Sequence, residues 1–260
     1  MAVYEVSKEL VLSPSLPSKP PIVAVIYCAV LEDEIEAFSK GLPHVRRMEK
    51  LPQGLHNEPD KLRRELQTLV DRIEAESPEI EAIVVGYGLC SRGTEGVHTN
   101  RAQFVVPRAH DCITLLLGSK ERYAKYAKEH PGTYWYSPGW NRHHIAPGQQ
   151  RYEVLRAQYV EKYGEEDADF LMEEEQRWFS TYDRATFVDL KVLPTEVDEA
   201  YTKGCADWLG WNYDRQEGDP GLLKRLLSGV WPEDEFLVLK PGQSLRMAVD
   251  QQVIEAAHAS

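Results

Sequence analysis

Ala82-Ile-Val-Val-Gly-Tyr-Gly-Leu-Cys-Ser91 decides the fold. Four apolar, mostly β-branched residues run into two glycines, a tyrosine and a cysteine. A short apolar run bounded by glycine reads as a strand buried on both faces of a parallel sheet, with a tight turn at its carboxyl end. Working outward, Ile22-Val-Ala-Val-Ile-Tyr27 is a second such run, stopping at Cys28. Phe104-Val-Val106 is a third, stopping at Pro107-Arg-Ala-His-Asp-Cys112.

Helical signals separate the strands. Leu31 to Ser39 reads as a helix ended by Gly41 and Pro43, before a strand at Val45 to Met48. Pro59 opens a helix with a stripe at Leu62, Leu66, Leu69 and Ile73, and another helix is expected from Asp111 to Lys128. Strands alternating with helices predict an α/β fold with a doubly wound, mostly parallel sheet.

In the second half, strands are expected at Thr133–Tyr136, Thr186–Val188 and Phe236–Leu239. Helices are expected at Tyr152–Lys162, Glu166–Phe179 and Glu196–Trp208, and a loop carries His143-His144. A weak echo links Asn57-Glu-Pro-Asp-Lys-Leu-Arg-Arg-Glu-Leu66 with Gly218-Asp-Pro-Gly-Leu-Leu-Lys-Arg-Leu-Leu227. It suggests two pseudo-repeated lobes with a cleft between them, the alternative being chance recurrence of proline-started helices. The expected division is an extended, proline-marked arm over 1–21, a first lobe over 22–130 and a second over 131–260.

The 42 acidic side chains against 30 basic ones give a net charge of -12, which repels phosphate backbones and argues against a nucleic-acid partner. No apolar run approaches the roughly 20 residues that span a bilayer, and the first residues lack a signal pattern. Four cysteines are too few for a disulfide scaffold, so a reducing, cytoplasmic setting is expected, with the thiols free for metal or chemistry. The prolines near the N-terminus and the tyrosine-rich middle suggest a homo-oligomer.

Ligands of open α/β sheets bind beyond the carboxyl ends of the strands. Cys28, the Gln53–Asn57 loop with His56, Cys90 and the His110-Asp111-Cys112 group all fall at that edge. Thiolate and imidazole are ligands for zinc or iron, and three of them plus an open position is a catalytic arrangement. The metal set expected is Cys90 and His110, completed by Cys112, Cys28 or Cys205. The same cysteines also read as apolar core filler, or as a catalytic thiol without metal.

His110 is a candidate ligand or general acid/base, and Asp111 either orients it or caps the next helix. Arg108, with Arg92 and Gly93 and the turn glycines Gly86 and Gly88, offers a cation and free amides for an anion or a cofactor. Tyr134-Trp135-Tyr136 and Trp140 suit the wall of a flat ligand, with Trp208, Trp211 and Tyr213 opposite.

The runs Leu51–Asn57, Gly86–Ser91, Pro107–Ser119 and Pro131–Trp140 resemble those of an uncharacterised bacterial and archaeal family of unknown function, over residues 22 to about 245. Members of that family are often found alongside corrinoid-dependent methyl-transfer systems. The resemblance implies one-carbon metabolism, a methyl-transfer protein as partner and, as further cofactors, an iron–sulfur cluster or a corrinoid. The expectation is a metal-dependent enzyme acting on a small molecule. The alternatives are a non-catalytic two-lobed binding protein for a small anion or cofactor, and an iron–sulfur or corrinoid accessory protein.

Overall fold

The computed structural model describes residues 19–250 and 252–258, so most of the expected N-terminal arm lies outside the described residues. In chain order, β1 is Val23–Cys28, α1 Glu32–Ser39, β2 Val45–Leu51, α2 Pro59–Glu76, β3 Ala82–Gly86 and β4 Gln103–Pro107. Then come α3 (Cys112–Leu117), α4 (Lys120–Glu129), β5 (Thr133–Tyr136), α5 (Pro138–His143), α6 (Gln149–Tyr163) and α7 (Glu165–Phe179). The chain closes with β6 (Arg184–Asp189), α8 (Glu196–Leu209), β7 (Asn212–Glu217), α9 (Gly221–Ser228), β8 (Phe236–Leu239), β9 (Gln243–Met247) and β10 (Ile254–His258).

The fold is mixed α/β with a mostly parallel central sheet. Its order is β2-β1-β3-β4-β8, the first four strands parallel and β8 antiparallel to β4. The apolar runs supply the inner strands because both faces are covered. Ala24, Ile26, Ile83, Val85 and Phe104 meet the Leu62, Leu66, Val70 and Ile73 stripe of α2 on one face. Val23, Val25, Val84 and Val105 meet Ile35 of α1, α3 and the leucines of α9 on the other. A second parallel sheet, β5-β6-β7, has its own core of Tyr136, Ala185, Phe187, Cys205 and Ala206.

The expected helix over 111–128 is two helices. Gly118 sits at φ 78, a left-handed conformation that ends α3. Ser119 then caps α4 by accepting from the Arg122 amide at 3.2 Å. Residues 131–217 build the second sheet, but the chain does not stay there to 260. α9 packs on the first sheet, β8 joins that sheet, and the β9–β10 hairpin covers it through Leu245 and Ile254. The two echoed segments, α2 and α9, therefore cover opposite faces of one sheet. No helix among the described residues is long and apolar enough to cross a membrane.

Candidate functional site

Four parallel strands in register put their carboxyl ends on one edge, and the site grows from that edge. Tyr27 pairs with Gly86, so one rung further on Cys28 stands beside Tyr87. The turn after β3 is bonded to the turn after β4: the Leu89 amide donates to the Ala109 carbonyl at 2.8 Å and the Cys90 amide to the His110 carbonyl at 3.0 Å. This needs Gly88, where a Cβ would stand 2.6 Å from the Asp111 nitrogen and 2.8 Å from the Ala109 oxygen. The Gly86–Ser91 and Pro107–Cys112 loops are thus one hydrogen-bonded unit.

Cys90, Ser91 and Arg92 follow at φ 45, 54 and 69. Left-handed backbone costs about 1–2 kcal/mol for each non-glycine residue and persists only where neighbours enforce it. Here the Gly93 amide closes the turn on the Cys90 carbonyl at 2.9 Å, and the Arg63 guanidinium holds the Arg92 and Glu95 carbonyls. The strain fixes where the Cys90 side chain leaves the backbone.

Cys28, Cys90 and Cys112 all line one pocket of about 400 Å³, together with His56, Tyr87, His110 and Asp111. Its far wall comes from the second sheet and its flanks: Tyr134 and Trp135 of β5, Trp140 of α5 and Tyr182. α5 reaches the pocket because Gly139 lies directly on the Val30 carbonyl, where a Cβ would come within 1.9 Å.

Burial pushes all three thiols up; Cys28 raises Cys90 and Cys112 further, and Cys90 also raises Cys112. They are therefore neutral at neutral pH until a positive charge enters. Burial also lowers the His56 imidazole, against the raising effect of the Gln53 carbonyl. That carbonyl only accepts, so His56 Nδ1 carries the proton it donates over 2.7 Å, and Nε2 keeps its lone pair.

Of the pocket-lining residues, Tyr87 has a fully buried hydroxyl without a hydrogen-bond partner, and the buried Trp140 indole nitrogen lies next to the Tyr134 phenol. The Tyr87 phenol and the Cys28 thiol each perturb the other's titration, so they are close neighbours.

Asp111 caps α3, as one reading of the sequence expected. Its Oδ1 accepts from the Thr114 amide at 3.2 Å and its Oδ2 from the Tyr123 hydroxyl at 3.1 Å. Burial raises its carboxyl. His110 is exposed at the pocket, its ring 6.4 Å from that of Tyr123.

Other expected site residues lie elsewhere. Arg108 points away, donating to the Glu233 carbonyl at 2.7 Å and the Ile254 carbonyl at 2.5 Å, and so clamps the C-terminal strands. Arg92 is exposed and paired with Glu95 at 2.7 Å, and Gly93 packs under Leu62. Gly86 and Gly88 serve backbone packing. No lysine or arginine lines the pocket among the described residues, so the expected anion cradle does not form.

Cys205 is buried in the second sheet's core beside Tyr136, Tyr201 and Gly148, and cannot complete a set with the other three thiols. His143 lies 3.4 Å from the Glu32 carboxylate, and the His144 ring tilts against Trp140 with centroids 4.6 Å apart. Trp211 packs behind Tyr134 and Tyr182 rather than in the pocket, and Trp208 lies against Tyr152.

Tyr87, Tyr123 and Tyr182 were not foreseen as site residues. Only Tyr87 carried a signal, its place between the two glycines. Among the described residues no three His, Cys, Asp or Glu side chains stand close enough to hold one ion as placed. The three thiols share a pocket, and binding a metal requires them to draw inward.

A family model described as a protein of unknown function (DUF1638) matches residues 50–227, a span that holds His56, Cys90, His110 and Cys112 but not Cys28. No curated protein and no solved structure matches the chain.

Proposed function

Because the chain belongs to the DUF1638 family of proteins of unknown function, its activity has to be read from the pocket, and we propose that it is a Cys/His-ligated metalloprotein acting on a small molecule. The supporting observation is the convergence of Cys28, Cys90 and Cys112, from three different strand ends, on one pocket. His56, with Nε2 free, and His110 are the nitrogen donors that line the same pocket. Neither Cys205 nor Arg108 takes part.

The donor chemistry fits a thiophilic ion such as zinc or iron. The unpartnered Tyr87 hydroxyl fits as well: as a thiolate, Cys28 accepts the hydrogen bond that its neutral thiol does not. When bound, such an ion supplies Lewis acidity or an activated thiolate at neutral pH. The chain itself orients the donors through the Cys90–Arg92 turn and shields the site with the aromatic wall. A place in one-carbon or methyl-transfer metabolism is part of the proposal and rests only on the resemblance of the sequence motifs.

A second reading is a dithiol site without metal. It is favoured by the absence, among the described residues, of a ready three-donor group. Zinc and iron content of anaerobically purified protein separates the two. Close to one equivalent is expected; a content below about a fifth of an equivalent, with the fold intact, removes the metal proposal.

A further inference from the structure

The aromatic wall that faces the thiols has its own chemistry. Tyr123, Tyr134, Trp135, Trp140 and Tyr182 line the pocket with one carboxylate, Asp111, two imidazoles, His56 and His110, and no lysine or arginine among the described residues. The rings form two groups, Tyr123 with Trp135 and Tyr134 with Trp140 and Tyr182. Centroids are 6.2 Å apart for Tyr123 and Trp135, 6.4 Å for Tyr134 and Trp140, and 5.4 Å for Tyr134 and Tyr182.

Ring faces carry negative charge density, and several rings around a desolvated space bind cations that cannot form directional hydrogen bonds. An anion would meet the rings, the carboxylate and the acidic chain, with only the imidazoles of His56, lowered by burial, and His110 to set against them. A neutral ligand would fill the space but leave Asp111 with the His110 imidazole alone as a counter-charge, since both of its oxygens meet neutral donors. We infer that the pocket receives a small organic cation, its charged head against the rings and Asp111. This inference rests on the same pocket as the function proposed above and names its ligand class. It does not require the metal.

The test compares choline with its uncharged isostere, in which carbon replaces the nitrogen, by calorimetry and tryptophan quenching. Shape, size and hydroxyl are shared, so any difference reports charge. Choline is expected to bind at least about tenfold more tightly, since a desolvated cation–π contact contributes about 2 kcal/mol and 1.4 kcal/mol is tenfold.

Asp111→Asn keeps a side chain that caps a helix while removing the charge, and should weaken choline but not the isostere. Tyr182→Leu should weaken choline more than the isostere. Equal binding of the two ligands, or no binding of choline to protein that melts cooperatively, overturns the inference. Repeating the titration on zinc-loaded protein and on Cys28→Ser distinguishes the failures. Choline selectivity in a variant that holds no metal leaves this inference standing and the metal reading fallen. Metal binding without choline selectivity does the reverse.

Discussion

Glu34 should make the protein less stable as the pH rises through neutrality. The residue lies on α1 at 4% exposure, and its Oε2 has no partner. Burial raises its carboxyl from 4.5 to about 7; Asp33 and Asp189 add to the rise, and the Arg142 guanidinium opposes it. The native state therefore holds a proton that the unfolded chain has already lost. Stability is full below about 4.5, falls as pH rises from there to about 7, and stays low above.

At about 1.4 kcal/mol per pH unit, that window corresponds to about 3 kcal/mol. For a protein of this size a loss of 1 kcal/mol lowers the melting temperature by about 2–4 °C, so a fall on the order of 10 °C is expected between pH 5 and pH 8. Glu34→Gln keeps the shape and removes the titration. It should melt like the parent at pH 4.5 and about 10 °C above it at pH 8. Scanning calorimetry of both proteins across this range is the assay, and parallel pH profiles would refute the reasoning. The site is of consequence because Arg142 of α5 pairs with the adjoining Asp33, and the same helix carries Trp140 into the pocket.

Three further outcomes are expected. Gly88→Ala should force the two loops apart, costing about 1–3 kcal/mol by overpacking and lowering metal content together with stability, as denaturant titration and metal analysis would show. Arg108→Ala removes the clamp on the Glu233 and Ile254 carbonyls and should cost about 2–3 kcal/mol in a denaturant titration while leaving metal content at the parent value. Cys205→Ala should cost about 1 kcal/mol and change neither metal content nor ligand binding; a loss of metal there would place the site in the wrong half of the chain.

The parallel strands were legible because burial on both faces leaves continuous apolar runs, as in Val23–Ile26 and Ile83–Val85. The edge at which ligands gather follows from the same reading, which is why Cys28, Cys90, His110 and Cys112 could be named together. What pattern could not show was direction. Arg108 is two residues from His110, yet its side chain leaves on the other side of the strand end and meets the C-terminal strands.

The return of the chain to the first sheet was illegible for a similar reason. Phe236-Leu-Val-Leu239 reads as a strand in any sheet, and only its pairing with Phe104–Pro107 says which one. β7 was missed because Asn212–Glu217 is polar and partly exposed, an edge strand held by its neighbour rather than by composition. The left-handed run at Cys90–Arg92 has no signal in residue types, since none of the three is a glycine; it is enforced by tertiary contacts to Arg63.

The most direct test is metal stoichiometry across the four single cysteine-to-serine variants, each purified anaerobically beside the parent. Cys28→Ser, Cys90→Ser and Cys112→Ser should each lose most of the bound zinc or iron while melting within a few degrees of the metal-free parent, and Cys205→Ser should keep it. Metal retained at the parent level in all of the first three, or absent from the parent itself, would contradict the assignment of this pocket as a metal centre.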